Sequence, residues 1–235
     1  MTDTTAPGHR ATAPASPPAA APTEAGDGRP GQAFLELARM PTRELERVLV
    51  RGQAPDLASL VGWQFRGLNH PAWARLLGIR KFIKGFYGPA EAARPGLDSA
   101  GPLRAIRGYN CAVVQNPPDQ PWIGRPDPTR PDRFGYFHVA AVDPTARDNA
   151  YLHAVLLDYG RAGNAGLDPT RGLRDYLVQV DPAQPDLFLG KAYYALGSAR
   201  LGLSFFLLER FRPAPGAGPG RGHASSADSR LQAPS

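Results

Sequence analysis

From Gly62 onward, hydrophobic and polar residues alternate along most of the chain, as they do in β-strands that bury one face. In the first such segment, Trp63 and Phe65 point one way, while Gln64 and Arg66 point the other way. Turn-forming Gly and Pro residues interrupt the alternation at short intervals. We therefore predict about eight strands. The first begins at Gly62, and the others span 79–87, 103–115, 134–142, 151–159, 174–181, 187–196 and 202–211.

Consecutive strands with short connections favour an antiparallel meander, and eight of them favour closure into a barrel with room for one small ligand. A sandwich of two sheets is the structural alternative. The fold class that we predict is mainly β, with one antiparallel barrel.

Helical spacing of apolar residues lies mainly before the third predicted strand. It predicts helices over 34–40 and 42–51, with Thr42 as N-cap and with Leu45, Val48 and Leu49 on one face. Asp56 is expected to cap a further turn that ends at Leu60. One more short helix, 71–77, is expected to follow a turn at 69–71. The short helices thus lie at the N-terminal side of the barrel.

The two ends of the chain differ in composition from the centre. Residues 1–31 and 213–235 are rich in Ala, Pro, Gly and small polar residues, so they bury too little surface to offset the entropy of ordering. We predict disordered tails over 1–31 and 213–235, and one barrel domain with its helices over 32–212. No apolar run has the length of a signal peptide or a membrane span, and Cys111 is the sole cysteine. A cytoplasmic protein is therefore expected.

The charge of the chain does not point to a different class of protein. The net charge is +6 and the pI is about 9.8, but the basic residues, nearly all arginine, are scattered among apolar and acidic residues. Because nucleic-acid binding requires a basic patch rather than a basic total, we do not expect a nucleic-acid partner.

One segment and the last strand carry a family resemblance. The segment has a glycine–tryptophan strand, a later glycine, a His-Pro pair, a Leu-rich stretch that ends in glycine, and a basic–aromatic strand. The matching residues are Gly62, Trp63, Gly67, His70, Pro71, Leu76, Leu77, Gly78, Lys81 and Phe82, and the last-strand residues are 205–210. This pattern, about thirty residues plus the last strand, resembles the GXWXG family of uncharacterised proteins. The resemblance implies a lipocalin-like (calycin-like) barrel with a cavity, and it implies no particular activity.

Cations on the second strand are the first candidate chemistry. Arg80, Lys81 and Lys84 would place positive charge at a barrel mouth, where it would hold a carboxylate or phosphate. Lys81 is singled out because its neighbours in the alternation, Ile79 and Ile83, look buried. The alternative is that these long side chains extend from the strand to solvent with their stems packed on aromatic rings.

Polar residues inside apolar strands are the second candidate set, because buried polar groups need partners and often line a ligand cavity. They are Tyr109, Asn110, Tyr136, His138, Asp158, Tyr159, Arg174, Asp175, Tyr176 and Lys191. The alternation places Asp175 on the face opposite Arg174 and Tyr176, but it leaves open which face is the lumen. The alternative is a structural ion pair between strands, such as Asp175 with Lys191.

The sequence gives little support for metal binding, nucleophilic catalysis or phosphate binding by a glycine-rich loop. His70, His138 and His153 lack metal-ligand spacing, and no nucleophile or phosphate-loop motif occurs, so we expect no metal and no cofactor. His138 is the best single candidate for a base in a pocket.

The function that these observations favour is the binding of a small apolar or amphipathic ligand in the barrel cavity. The candidate ligand-binding residues are Trp63, Lys81, Tyr109, Tyr136, His138, Asp158, Asp175 and Lys191. One alternative is an enzyme in the same cavity, with His138 or Asp158 as base and Tyr109 or Tyr136 as acid. Another is an interaction module whose tails bind a partner.

Overall fold

The computed structural model describes residues 28–70, 79–88, 106–162, 164–197 and 199–215. Three short helices precede eight strands. The helices are α1 (Gln32–Arg39), α2 (Thr42–Arg51) and α3 (Leu57–Leu60). The strands are β1 (Trp63–His70), β2 (Lys81–Tyr87), β3 (Arg107–Ala112), β4 (Arg133–Ala141), β5 (Val155–Asp158), β6 (Leu173–Gln179), β7 (Leu187–Leu196) and β8 (Ala199–Pro213). A 3-10 turn, Pro169–Gly172, leads into β6.

The strands form one closed antiparallel barrel in which each strand pairs with the next. β8 closes the barrel on β1, with register partners that run from Trp63 opposite Pro213 to His70 opposite Phe205. The predicted mainly β fold class, with a single antiparallel barrel, is confirmed, and the two-sheet sandwich is excluded.

β1 is longer than predicted. Asn69 and His70, two residues of the expected turn, are the last two residues of the strand. The Asn69 N–H donates to the Arg80 carbonyl (2.8 Å), and Asn69 lies opposite Phe206 of β8. The predicted helix 71–77 lies outside the described residues.

The first two helices lie outside the barrel wall. α1 packs against β8 and α2 against β7, where they bury Phe34, Leu37, Leu45 and Leu49. α2 has the predicted bounds, but its N-cap is Pro41, so Thr42 is the first helical residue. None of the described helices is long and apolar enough to cross a membrane.

α3 lies at one end of the barrel. The Asp56 carboxylate caps it as predicted, accepting a hydrogen bond from the Ala58 N–H (3.0 Å). Leu60 is fully buried and packs into the barrel interior. We call the barrel end that Leu60 fills the closed end.

The barrel wall is buried on both faces. Side chains of the inner face form one apolar cluster, which includes Phe65, Phe82, Phe86, Phe137, Leu157, Leu177, Phe188 and Phe206. Those of the outer face form a second cluster under α1, α2 and the loop that carries Trp122, including Ile83, Tyr109, Cys111, Leu156, Tyr176, Leu189 and Leu207. The wall of strands therefore has one apolar core inside the barrel and a second apolar core outside it.

Phenyl rings fill the closed half of the interior. The Phe65 ring packs edge-to-face on Phe86 and on Phe188, with ring centres 5.4 Å apart in both pairs. Phe86 packs in the same way on Phe137, at 5.5 Å. Because this half is solid, any space for a ligand lies toward the opposite end.

The predicted tails fall mostly outside the described residues. The described parts of these segments, 28–31 and 213–215, contain residues that contact the barrel. The Gly31 N–H donates to the Glu209 carboxylate (3.0 and 3.1 Å), and the Ala214 N–H donates to the Gly62 carbonyl (2.8 Å).

Candidate functional site

A cavity of about 470 Å³ occupies the half of the barrel opposite α3. It lies within the 300–1,000 Å³ range of typical small-molecule sites. Its lining residues come from β1, β2, β3, β4, β6, β7, β8 and the 3-10 turn, together with Ile79 and Tyr159. They are Asn69, Ile79, Phe82, Lys84, Asn110, Phe134, Tyr159, Pro169, Thr170, Leu173, Asp175, Ala192, Tyr194, Leu203, Ser204 and Phe206.

Three polar side chains meet where the cavity borders the phenyl rings of the closed half. The Lys84 ammonium donates to the Tyr159 hydroxyl (2.7 Å), which in turn donates to Asp175 Oδ2 (2.9 Å). Lys84 Nζ also lies 3.6 Å from the same carboxylate oxygen. We call Lys84, Tyr159 and Asp175 the polar floor.

Strand alternation brings these groups together. Lys84 lies between Phe82 and Phe86 on the inner face of β2, and Asp175 lies between Leu173 and Leu177 on the inner face of β6. Tyr159 follows β5 directly. Its backbone carbonyl accepts a hydrogen bond from Asn164 (2.9 Å), which holds this end of the strand in place.

Aromatic rings surround the Lys84 ammonium. Its Nζ lies 4.5 Å from the centre of the Phe137 ring, 5.2 Å from that of Phe206 and 5.5 Å from that of Phe82. Cation–π attraction to ring faces at such distances favours the charged amine. The rings also exclude water from it, and this effect opposes the charge.

Burial favours the uncharged form of each group of the polar floor, and it shifts each pKa accordingly. It lowers the pKa of Lys84 to about 8, although the Asp175 carboxylate acts in the opposite direction. It raises the pKa of Asp175 despite the nearby Lys84. Burial and the Asp175 charge together raise the pKa of Tyr159 well above its ordinary value. Burial thus brings the pKa values of the amine and the carboxyl closer together than they are in water.

One atom of the floor lacks a partner. Asp175 Oδ1 is buried, and among the described residues no group donates a hydrogen bond to it. A buried carboxylate oxygen without a donor is costly. A ligand group that donates to it would therefore gain more here than at a satisfied site.

Asn110 supports the floor from β3. Its side-chain amide donates to the Gly135 carbonyl (2.9 Å) and lies 3.5 Å from the Tyr159 hydroxyl. Gly135 adopts a φ of +51°, and an added Cβ there would lie 3.0 Å from the Asn110 amide. The glycine is therefore needed both for the backbone conformation and for the space.

All eight predicted ligand-binding residues lie in the described part of the chain, and Asp175 is the one that lines the cavity. Trp63 lies at the closed end, half-buried, beneath the Arg210 guanidinium. Tyr109 is buried on the outer face, where its hydroxyl accepts a hydrogen bond from Gln64 (3.1 Å).

Lys81 and Lys191 are both bound on the outer face of the barrel. Lys81 donates to the Asn116 side chain and to the carbonyls of residues 117, 120 and 121, beside the Trp122 ring. Lys191 forms an ion pair with Glu46 of α2 (2.6 Å) and donates to Tyr151 (2.8 Å). Asp175 therefore pairs with Lys84, and the predicted alternative of a pair with Lys191 is wrong.

The remaining predicted residues also lie outside the cavity. Asp158 points outward, where its carboxylate forms an ion pair with Arg174 (3.1 Å). His138 lies opposite Asp158 in the strand register, and the Tyr136 side chain is partly exposed to solvent. The residues named for the enzyme alternative therefore do not converge on the cavity.

Sequence reasoning named Lys84 among the candidate cations of the second strand, but it singled out Lys81, and the eight ligand-binding residues selected include neither Lys84 nor Tyr159. Tyr159 and Asn110 belong to the set of polar residues in strands, and Lys84 shares its predicted face with Phe82 and Phe86. That alternation is the signal that separates Lys84 from Lys81. It became decisive only when the structure showed which face is the lumen.

Within the described ranges, no group of three or more His, Cys, Asp or Glu side chains is placed to hold a metal ion. Comparisons with known proteins add nothing to this geometry: no family model matches the chain, and no match was found among the curated proteins or the solved structures. The resemblance to the GXWXG family stays a prediction.

Proposed function

We propose that this protein binds a small apolar or amphipathic molecule in the barrel cavity, with the polar end of the molecule against Lys84, Tyr159 and Asp175. The observation that carries the proposal is the polar floor. A mostly apolar cavity ends at an amine, a phenol and a carboxylate, and one carboxylate oxygen has no donor among the described residues.

The lining accounts for the chemistry of the proposed ligand. Phe82, Phe134, Leu173, Leu203 and Phe206 offer apolar surface to a hydrocarbon body. The hydrophobic effect would contribute roughly 25 cal/mol for each Å² of ligand surface removed from water. A hydroxyl or similar group at the far end would donate to Asp175 Oδ1 and accept from Lys84.

The same proposal includes the relationship to the GXWXG family. The closed barrel agrees with the lipocalin-like fold of that family, and two motif glycines have structural reasons here. Gly62 adopts a φ of +81°, and a Cβ on Gly67 would overlap the Phe82 ring that lines the cavity. Both features support the resemblance, since the motif is expected at positions that shape the barrel.

A matched pair of substitutions on β7 tests the binding site. Ala192 lines the cavity, whereas Ala195 has its side chain on the outer face of the same strand. Ala192→Leu adds three carbon atoms to the cavity, and Ala195→Leu adds the same atoms outside it. Binding would be measured as displacement of the dye Nile red by decan-1-ol, with the fold monitored by circular dichroism.

We expect Ala192→Leu to weaken decan-1-ol binding by about tenfold or more, since the ligand and the new side chain compete for one volume. Ala195→Leu should leave binding unchanged. Equal binding by both variants, or no binding of decan-1-ol by the unaltered protein, would contradict the proposal.

A further inference from the structure

We propose that Lys84 forms a Schiff base with an aldehyde or ketone that enters the barrel cavity. This inference rests on the proposed function, because it assigns a carbonyl group to the polar end of the ligand. The inference follows from the positions of the lysine amines in the fold and from the groups that surround the Lys84 amine.

Lys84 is the one amine among the residues that line the cavity in the described part of the chain. The entire sequence contains three lysines, at positions 81, 84 and 191. Its other side chains that carry a full positive charge at neutral pH are arginines, which do not lose their proton in proteins and so do not act as nucleophiles. Chemistry that needs an amine is therefore restricted to very few side chains.

The two other lysines are not available to a ligand in the barrel. The Lys81 ammonium is enclosed by one side-chain oxygen, three backbone carbonyls and the Trp122 ring. The ion pair and the hydrogen bond of Lys191 hold it against α2. Neither residue lines the cavity, so a carbonyl ligand bound there meets Lys84 alone.

The surroundings of Lys84 favour an uncharged, nucleophilic amine. The residue is 1% exposed, and rings of Phe82, Phe137, Tyr159 and Phe206 lie around its Nζ. Burial lowers its pKa to about 8, so a fraction of the amine is unprotonated near neutral pH. A lysine in an apolar pocket is activated in this way for imine formation.

The neighbouring groups provide the proton transfers of the reaction. Lys84 first passes one proton to the Asp175 carboxylate, and the uncharged amine nitrogen bonds to the carbonyl carbon. One N–H proton then moves to the carbonyl oxygen and gives a carbinolamine, whose new hydroxyl can donate a hydrogen bond to Asp175 Oδ1, an atom with no donor among the described residues. Asp175 returns its proton to that hydroxyl, which leaves as water, and the imine keeps the remaining N–H proton and the positive charge.

The reaction balances without a further reagent. A charged lysine and a carbonyl compound give a protonated imine and one water molecule, with no change in net charge or oxidation state. Asp175 lies 3.6 Å from the Lys84 nitrogen and would compensate the positive charge of the imine. The Tyr159 hydroxyl, 2.7 Å from the same nitrogen, would accept its N–H.

Reductive trapping tests the proposal on the unaltered protein. The full chain would be incubated with straight-chain aldehydes from hexanal to dodecanal in the presence of sodium cyanoborohydride, which reduces an imine to a stable secondary amine. Intact-mass measurement counts the alkyl groups, and peptide mapping locates them among the three lysines and the N-terminal amine. The matching alcohols, measured by Nile red displacement, report binding without covalent chemistry.

We expect one alkyl group per chain, with Lys84 modified at least about tenfold more than Lys81, Lys191 or the N-terminus. Lys84→Arg should abolish this adduct, while Lys191→Arg should retain it. If the alcohols bind but the aldehydes leave Lys84 unmodified, or modify all amines alike, the Schiff base is excluded and the binding proposal stands. If neither alcohols nor aldehydes bind or react, both proposals fail.

Discussion

Lys84 and Lys81 show how strongly the position of a lysine on a strand determines its surroundings. They are three positions apart on the same strand, both buried, yet one faces the lumen and the other lies under a loop outside the wall. Lys81 donates to one side-chain oxygen and three backbone carbonyls, although burial, together with Arg66 and Arg80, lowers its pKa to about 8 as well. Access to the cavity therefore distinguishes the two amines, and their pKa values do not. Lys84 has one hydroxyl and one carboxylate among phenyl rings. The same side chain thus holds a loop at one site and lines the barrel cavity at the other.

The titration of Lys84 is a prediction at this scale. In protein labelled with ¹³C at lysine Cε, the resonance that Lys84→Met removes should titrate with a midpoint near pH 8, because burial lowers its pKa to about 8. The titratable groups that face it are Tyr159 and Asp175. A midpoint near the 10.5 of an exposed lysine would contradict the account.

The same shift has a consequence for stability. Between about pH 8 and 10.5 the unfolded chain binds more protons at this residue than the folded chain does, so the free energy of unfolding rises with pH across that window. Urea unfolding at several pH values should therefore show a steeper rise for the unaltered protein than for Lys84→Met. Parallel curves for the two proteins would contradict the predicted direction.

Pairs of a glycine and a phenyl ring shape the strands around the cavity. On the inner face, a Cβ on Gly67 would overlap the ring of Phe82, and a Cβ on Gly190 would overlap that of Phe206. Each glycine thus lets a ring from the neighbouring strand lie flat over the backbone. Both rings line the cavity, so the glycines set its width.

A substitution at Gly190 tests this arrangement. We expect Gly190→Ala to lower the free energy of unfolding by about 1–3 kcal/mol, because the Phe206 ring must move in a packed interior. Phe206→Leu in the same chain should recover part of the loss, since a smaller side chain leaves room for the methyl group. Gly166→Ala is the control, because a Cβ there meets nothing within 4 Å. Additive effects of the two changes, measured by urea unfolding, would show that the contact does not matter.

The elements differ in how well local sequence predicts them. α2 has its predicted bounds because Leu45 and Leu49 repeat at helical spacing and Gly52 ends the helix. β7 likewise has its predicted bounds, 187–196. β5 is only Val155–Asp158, shorter than predicted, because Tyr151 begins a turn in which the Ala154 N–H donates to its carbonyl (3.0 Å). Long periodic segments are therefore predictable, and the ends of short strands depend on turns and on neighbouring strands.

At the scale of the whole molecule, barrel closure determines which residues meet. The alternation separates Lys84 from Lys81 and Asp175 from Tyr176, but it does not show which member of each pair faces inward. Burial gives no help, because α1, α2 and the Trp122 loop cover much of the outer face. The fold class followed from the number and spacing of the strands. The candidate site did not, since Lys84 and Asp175 meet only across the closed barrel.

Intermolecular nuclear Overhauser effects between isotope-labelled protein and unlabelled decan-1-ol test the central claim most directly. The account predicts contacts from the alkyl protons to the rings of Phe82 and Phe206 and to Leu173, and from the carbinol protons to the Cε protons of Lys84. Contacts confined to exposed side chains such as Leu152 and Leu167, or the absence of contacts to any residue of the cavity, would contradict it.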